Sequence, residues 1–218
     1  MKAGVITFPG SNCDHDITYI LSTFFSVQTD LLWHKNSIQE KYDLLVVPGG
    51  FSYGDYLRCG AIARFAPAMK SLVDHAKEGR PVIGICNGFQ ILCESGLLPG
   101  ALIRNESLKH ICKNVSLKPV SGNAFTSGLS EQRTYEIPVS HGEGNFRIDD
   151  QGLQELKENN QIAFRYEVNP NGSIDHIAGI TDKKHRILGM MPHPERATDP
   201  VNGSVDGKLI LEAMLGVV

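Results

Sequence analysis

The hydrophobic positions of this 218-residue chain fall into two alternating kinds of run. Short, nearly unbroken apolar stretches over residues 3–8, 44–47 and 82–85 predict buried strands, and residues 27–33 predict a further strand. Between them apolar residues recur every three or four positions. Ile17, Ile20, Leu21 and Phe24 predict a helix with one apolar face. It follows Ser11-Asn12-Cys13-Asp14, an S-x-x-D start that puts Asp14 and Asp16 at the positive helix end. A second helix is predicted over 61–77, with Ile62, Phe65, Met69, Leu72 and Val73 inward and Gly79 at its C-terminal end. Pro67 inside that span predicts either a kink or a later start. A third helix, 88–93, runs up to Gly96.

This β-α-β-α rhythm predicts an α/β fold: a doubly wound, mostly parallel sheet with right-handed crossovers. The second half carries strand patterns at 134–139, 162–168, 177–181 and 187–191. They are separated by turn clusters, notably Asn169-Pro170-Asn171-Gly172 and Asp182-Lys183-Lys184-His185, so they predict an antiparallel extension of the same sheet. A terminal helix is expected over 207–215. No repeat or long linker interrupts the pattern, and one domain over 1–218 is expected.

Composition narrows the function classes. Hydrophobic residues are 41% and charged residues 21%, enough to bury a core and to exclude disorder as the dominant state. A net charge of −3 leaves no basic excess for a phosphate backbone, so no nucleic-acid partner is expected. No apolar run approaches the roughly 18 residues of a membrane span, and the first residues do not read as a secretory signal. Five cysteines, an odd number in no C-x-x-C pair, disfavour a disulfide framework and a zinc site. A cytoplasmic protein with reduced thiols and no metal is expected.

The sharpest local feature is Gly84-Ile85-Cys86-Asn87-Gly88, a G-x-nucleophile-x-G pattern between an apolar strand and a helix. Such an elbow needs small flanking residues so that strand and helix approach closely, and it sets the thiol at a helix N-terminus, where the dipole favours thiolate. The competing reading is a small buried hydrophobe at a strand end. Cys93 reads as core; Cys13, Cys59 and Cys112 have no comparable setting.

A cysteine nucleophile needs a base, and the base an orienting group. Two H-x-E triplets offer both, His141-Gly142-Glu143 and His193-Pro194-Glu195, because residues i and i+2 of an extended segment face the same way. The prolines around His193 stiffen it and favour it as the base, while the glycines around His141 suit a ligand-facing loop. A surface histidine in a turn is the bland alternative for either. Pro48-Gly49-Gly50-Phe51 follows another buried strand, where Gly50 can aim a backbone N–H at an oxyanion, with the N–H of Asn87 as second donor. A plain βα turn is the alternative. No phosphate- or dinucleotide-binding loop is present, so no cofactor is expected on this chain.

Taken in order, these motifs resemble the class I (triad) glutamine amidotransferases, over essentially the whole length. The likeness is nearest to the purine-pathway subgroup through Phe8-Pro9-Gly10-Ser11-Asn12-Cys13-Asp14, Gly49-Gly50-Phe51-Ser52-Tyr53-Gly54-Asp55 and Gly84-Ile85-Cys86-Asn87-Gly88-Phe89-Gln90. Ser140-His141-Gly142-Glu143-Gly144 and Pro192-His193-Pro194-Glu195-Arg196 complete it. Where many class I members carry Gly-His-Gln, this chain has Gly88-Phe89-Gln90, as that subgroup does. The resemblance implies a flavodoxin-like sheet and a Cys86, His193, Glu195 triad. It further implies an oxyanion hole from Gly50 and Asn87, and contacts to glutamine from Gln90, Ser140, His141 and Gly142. It also implies a separate synthetase that receives the ammonia and binds ATP and Mg²⁺, with a small accessory subunit. A stand-alone cysteine peptidase or γ-glutamyl hydrolase, or a scaffold subunit without catalysis, are the competing functions.

Overall fold

A computed structural model describes residues 1–55 and 58–218. Its frame is a nine-stranded sheet. The first half contributes β1 (Lys2–Thr7), α1 (Asp14–Phe25), β2 (Gln28–Trp33), β3 (Leu44–Val47), α2 (Pro67–Lys77), β4 (Val82–Ile85) and α3 (Asn87–Glu94). The second adds β5 (Ala101–Ile103), β6 (Ile111–Pro119), β7 (Tyr135–His141), β8 (Asn145–Arg147), α4 (Asp150–Glu158), β9 (Ile162–Tyr166), β10 (Ile177–Thr181), β11 (Ile187–Met190) and α5 (Asp206–Leu215). The strand order is β2-β1-β3-β4-β11-β10-β9-β6-β7, and β5 pairs with β8 in a separate ribbon. From β2 to β11 neighbouring strands are parallel; from β11 to β7 they are antiparallel.

The apolar runs become the central strands. Every residue of β3, β4 and β11 is buried, as required where helices cover both faces. β11 corrects the expected layout. Expected in the antiparallel extension, it lies parallel to β4 through Ile187↔Val82 to Met190↔Ile85 and antiparallel only to β10. It therefore joins the two regimes of the sheet, and its C-terminal end opens beside that of β4.

Two helix starts differ from the pattern. α2 begins at Pro67, its first-turn proline, and residues 63–65 form a separate 3₁₀ turn. Ala66 is extended (φ −66°, ψ 145°) because the proline ring crowds a helical residue before it. Phe65, expected inward, is consequently 75% exposed. α1 begins at Asp14, not from a Ser11 cap. The Ser11 hydroxyl instead accepts the Phe8 N–H at 3.0 Å, and Ser11 forms a bridge with Gly50. No hydrophobic pattern marks β5, β6, β8 or α4. β6 hides its period by leaving Cys112, Lys113 and Asn114 exposed. No helix among the described residues is long and apolar enough to cross a membrane.

The loops after β1, β3, β4 and β11 all leave the C-terminal edge of adjacent parallel strands, which is where open α/β sheets place their sites. β7 lies at the far edge, yet the carbonyl of Pro138 within it accepts the His193 N–H at 2.9 Å. That bond ties the loop after β11 to the last strand.

Candidate active site

Cys86 occupies the single residue between β4 and α3, with φ 52° and ψ −107°. A side-chain-bearing residue held at positive φ is strained, and its neighbours explain how it is held. A Cβ on Gly84 would stand 2.5 Å from Leu92 Cδ1, and one on Gly88 would stand 1.9 Å from the carbonyl oxygen of Val47. Only glycine at both places lets α3 pack this closely on β3 and β4. The thiol is nearly buried and approaches the Ser140 carbonyl at 3.6 Å.

His193 follows β11. Its Nδ1 lies 2.7 Å from Glu195 Oε1, in a contact with both side chains at most 2% exposed. Burial disfavours the charged imidazolium, but the Glu195 carboxylate and the nearby sulfur atoms outweigh it and hold His193 well above its ordinary pKa. Neither His193 Nε2 nor Glu195 Oε2 has a hydrogen-bond partner among the described residues. Cys86 and His193 both pack against Gly49. A Cβ there would stand 2.7 Å from His193 Cε1 and 3.4 Å from Cys86 Cβ.

Cys13 gave no signal beyond its place in the 8–14 motif, yet its Sγ belongs to this centre. The ligating atoms of Cys13, His193 and Glu195 lie within 4.8 Å of one another, and all three residues are buried. Arg196 donates to the Cys13 sulfur at 3.1 Å and to Asp16 at 3.0 Å. Burial pushes the Cys13 thiol pKa up. Sulfur, imidazole and carboxylate are a donor set that zinc accepts. Here one imidazole nitrogen is committed to Glu195, and the Arg196 guanidinium donates to the sulfur.

The glycine turn is bound to the 8–14 loop. Asn12 and Cys13 N–H groups donate to the Gly49 carbonyl, and Phe51 N–H donates to Gly10 at 2.8 Å. Gly50 has φ +147°, and a Cβ on it would meet the Gly10 carbonyl oxygen at 2.6 Å. Among the described residues no acceptor takes the backbone N–H of Gly50 or of Asn87. The Asn87 side chain is fully engaged. Its oxygen accepts from Ser52 N–H and hydroxyl, and its amide donates to Gln90 Oε1 at 2.8 Å.

A cleft of about 360 Å³ opens over the thiol, with Gly50, Cys86, Gln90, Ser140, His141 and Gly142 in its wall. His193 and Glu195 line an adjoining cleft of about 440 Å³, which shares Ser140 with the first. The two H-x-E triplets therefore differ in kind. Glu143 does not pair with His141, contrary to the i, i+2 expectation; its carboxylate lies 3.9 Å from Arg104. His141 Nδ1 meets Asn105 Oδ1 at 3.1 Å instead, and burial together with His193 and His110 pushes its pKa down to about 4. Asn105, which no sequence pattern marked, is completely buried. It bonds the carbonyls of Lys109 and His141 and the N–H of Gly144, fixing the 140–144 loop.

The profile of a family described as the CobB/CobQ-like glutamine amidotransferase domain matches residues 1–210. The structure of PurLQS from Thermotoga maritima is similar at 38% identity and TM-score 0.88, covering 98% of this chain and 97% of that one. A Thermoplasma acidophilum protein described as a GMP synthase subunit (16% identity, TM-score 0.71, 100% and 93% covered) shares the fold. So does a glutamine amidotransferase from Thermotoga maritima (18% identity, TM-score 0.64, 100% and 98% covered).

Proposed function

The chain belongs to the family of CobB/CobQ-like glutamine amidotransferase domains, and from that membership we propose that it is the glutaminase subunit of phosphoribosylformylglycinamidine synthase. It hydrolyses glutamine and passes the ammonia to a synthetase that converts formylglycinamide ribonucleotide to formylglycinamidine ribonucleotide in purine biosynthesis. The observation that carries this reading is one thiol at a strained strand–helix elbow, with a buried imidazole–carboxylate pair packed beside it on the same glycine.

In this mechanism the glutamine side chain enters the cleft over Cys86. His193 accepts the thiol proton, and the sulfur attacks the amide carbon. The oxyanion forms against the N–H groups of Gly50 and Asn87, donors that need no reorganisation as charge develops. His193 returns the proton to the departing nitrogen, ammonia leaves, and a γ-glutamyl thioester remains on Cys86. Water, deprotonated by His193, then releases glutamate and regenerates the thiol. Glu195 keeps the Nδ1 proton of His193 in place, so Nε2 does the proton transfer. Gln90, Ser140, His141 and Gly142 hold the substrate.

The 38% identity to PurLQS over nearly the whole chain supports assembly with a synthetase and a small accessory subunit. In this reading the synthetase binds ATP and Mg²⁺. Five free cysteines suit a reducing cytoplasm. The test is glutamine hydrolysis by the isolated chain and by the chain assembled with the endogenous synthetase. Strong stimulation on assembly is expected. Equal turnover in both states would favour a stand-alone hydrolase.

A further inference from the structure

The sulfur of Cys13 and the guanidinium of Arg196 take no part in the mechanism above, yet both are held against its proton carrier. Cys13 is the last residue before α1, is 2% exposed, and donates its backbone N–H to the Gly49 carbonyl at 3.3 Å. Its thiol donates to Asn12 Oδ1 at 3.3 Å, and Arg196 donates to the sulfur at 3.1 Å. Giving to one neighbour and accepting from the other, the sulfur is fixed in direction as well as in place.

Arg196 belongs to the turn that follows His193. Residues 194–197 form a 3₁₀ turn, and the Arg196 N–H donates to the His193 carbonyl at 3.1 Å. This short segment therefore meets Cys13 at two points. The guanidinium bonds the sulfur, and a nitrogen of the imidazole stands within 4.8 Å of it. A Cβ on Gly49 would stand 3.0 Å from Cys13 Sγ, 2.7 Å from His193 Cε1 and 3.4 Å from Cys86 Cβ, so one glycine gathers sulfur, ring and nucleophile. Arg196 Nε also donates to Asp16 at 3.0 Å, in the first turn of α1. One guanidinium thus ties the segment carrying His193 and Glu195 to the start of α1.

We propose that Cys13 is a positioning residue for His193: its sulfur, locked by Arg196, holds the imidazole in the orientation that serves Cys86. This rests on the glutaminase reading and adds a residue to it. Glu195 grips the ring only at Nδ1, and Nε2, the atom that exchanges the proton, has no hydrogen-bond partner among the described residues. A ring held at one edge is free to tilt about that contact. The Cys13 sulfur closes off the tilt, and its lone pairs favour the imidazolium that forms when His193 takes the Cys86 proton. An apolar side chain of the same size would fill the space without favouring that charge.

The test sets Cys13→Ala beside Cys13→Ser and Arg196→Gln. Ammonia release by the chain assembled with its synthetase gives kcat and KM, gel filtration confirms assembly, and an NMR titration of the chain gives the midpoint of the His193 ring. Cys13→Ala should lower kcat by about 10- to 100-fold, the order expected for a ring displaced by about 1 Å, with KM within about twofold. The His193 midpoint should fall, because burial opposes the charged ring while Glu195, Cys86 and Cys13 favour it. Cys13→Ser restores an acceptor for Arg196 and should recover most of the rate. Arg196→Gln should lower kcat in the wild-type background and add little to Cys13→Ala, since both act through one contact. A merely structural role would lower the melting temperature and leave the midpoint in place. Full kcat in Cys13→Ala, a serine variant as slow as the alanine one, an unmoved midpoint or additive losses in the double variant would each overturn the role and leave the glutaminase reading intact. A wild-type complex that releases no ammonia from glutamine removes that reading and the role together.

Discussion

Gly49 and His193 are in contact that only a glycine permits: a Cβ on residue 49 would stand 2.7 Å from the imidazole Cε1. Gly49→Ala should therefore displace the ring from Cys86 without unfolding the sheet. A misplacement of about 1 Å at a reacting group costs on the order of 10²-fold in rate. Glutaminase kcat should fall by that order while circular dichroism stays unchanged. A fully active alanine variant would refute the contact.

Cys86→Ala should abolish glutamine-dependent synthesis by the assembled complex, and high ammonium should restore it. The substitution removes one sulfur from a nearly buried site, a loss of roughly 1 kcal/mol that the fold tolerates. Failure of ammonium to rescue an intact complex would place Cys86 in the synthetase step.

The two histidines should separate kinetically. His193→Ala removes the proton carrier, and kcat should drop by roughly 10²–10⁴. His141 lies in the substrate cleft and is held by Asn105, so His141→Ala should act mainly on KM. Reversed effects in steady-state assays would move the catalytic role to His141.

The charge of His193 should respond to its carboxylate. Its folded-state pKa lies above the ordinary 6.5, so its contribution to stability is full below that value and is lost as pH rises through the folded pKa. An NMR titration of the His193 ring should give a midpoint above 6.5, and Glu195→Gln should lower it. An unmoved midpoint in that variant would exclude Glu195 as the cause.

His141 has the opposite sign. Its pKa falls from 6.5 unfolded to about 4 folded, so the neutral ring is the folded form. Stability from this residue is complete above about pH 6.5 and declines as pH falls towards 4, by about 3 kcal/mol in all. Urea denaturation at pH 7 and pH 5 should show the decline, and His141→Gln should flatten it. An equal decline in the variant would assign it to other groups.

The linear order of residues determined the parts whose physics is local. β3, β4 and β10 are legible to the residue because unbroken apolar runs end at turn formers. The elbow at Cys86 is legible because Gly84 and Gly88 are needed within two residues of it on either side. His193 pairs with Glu195 as the spacing predicts, but through a 3₁₀ turn over Pro194–Ala197 and not through an extended segment. The identical argument fails for His141 and Glu143, since a buried partner 36 positions away, Asn105, takes the imidazole first. Sequence spacing carries no trace of that competition. Cys13 is the same case. Its place beside His193 arises only because β1 and β11 lie on either side of β3 and β4 in one parallel sheet, so that their C-terminal loops converge. Which strands become neighbours depends on burying all their apolar faces at once, a property of the whole chain. The tertiary fold therefore decided which of the candidate residues meet.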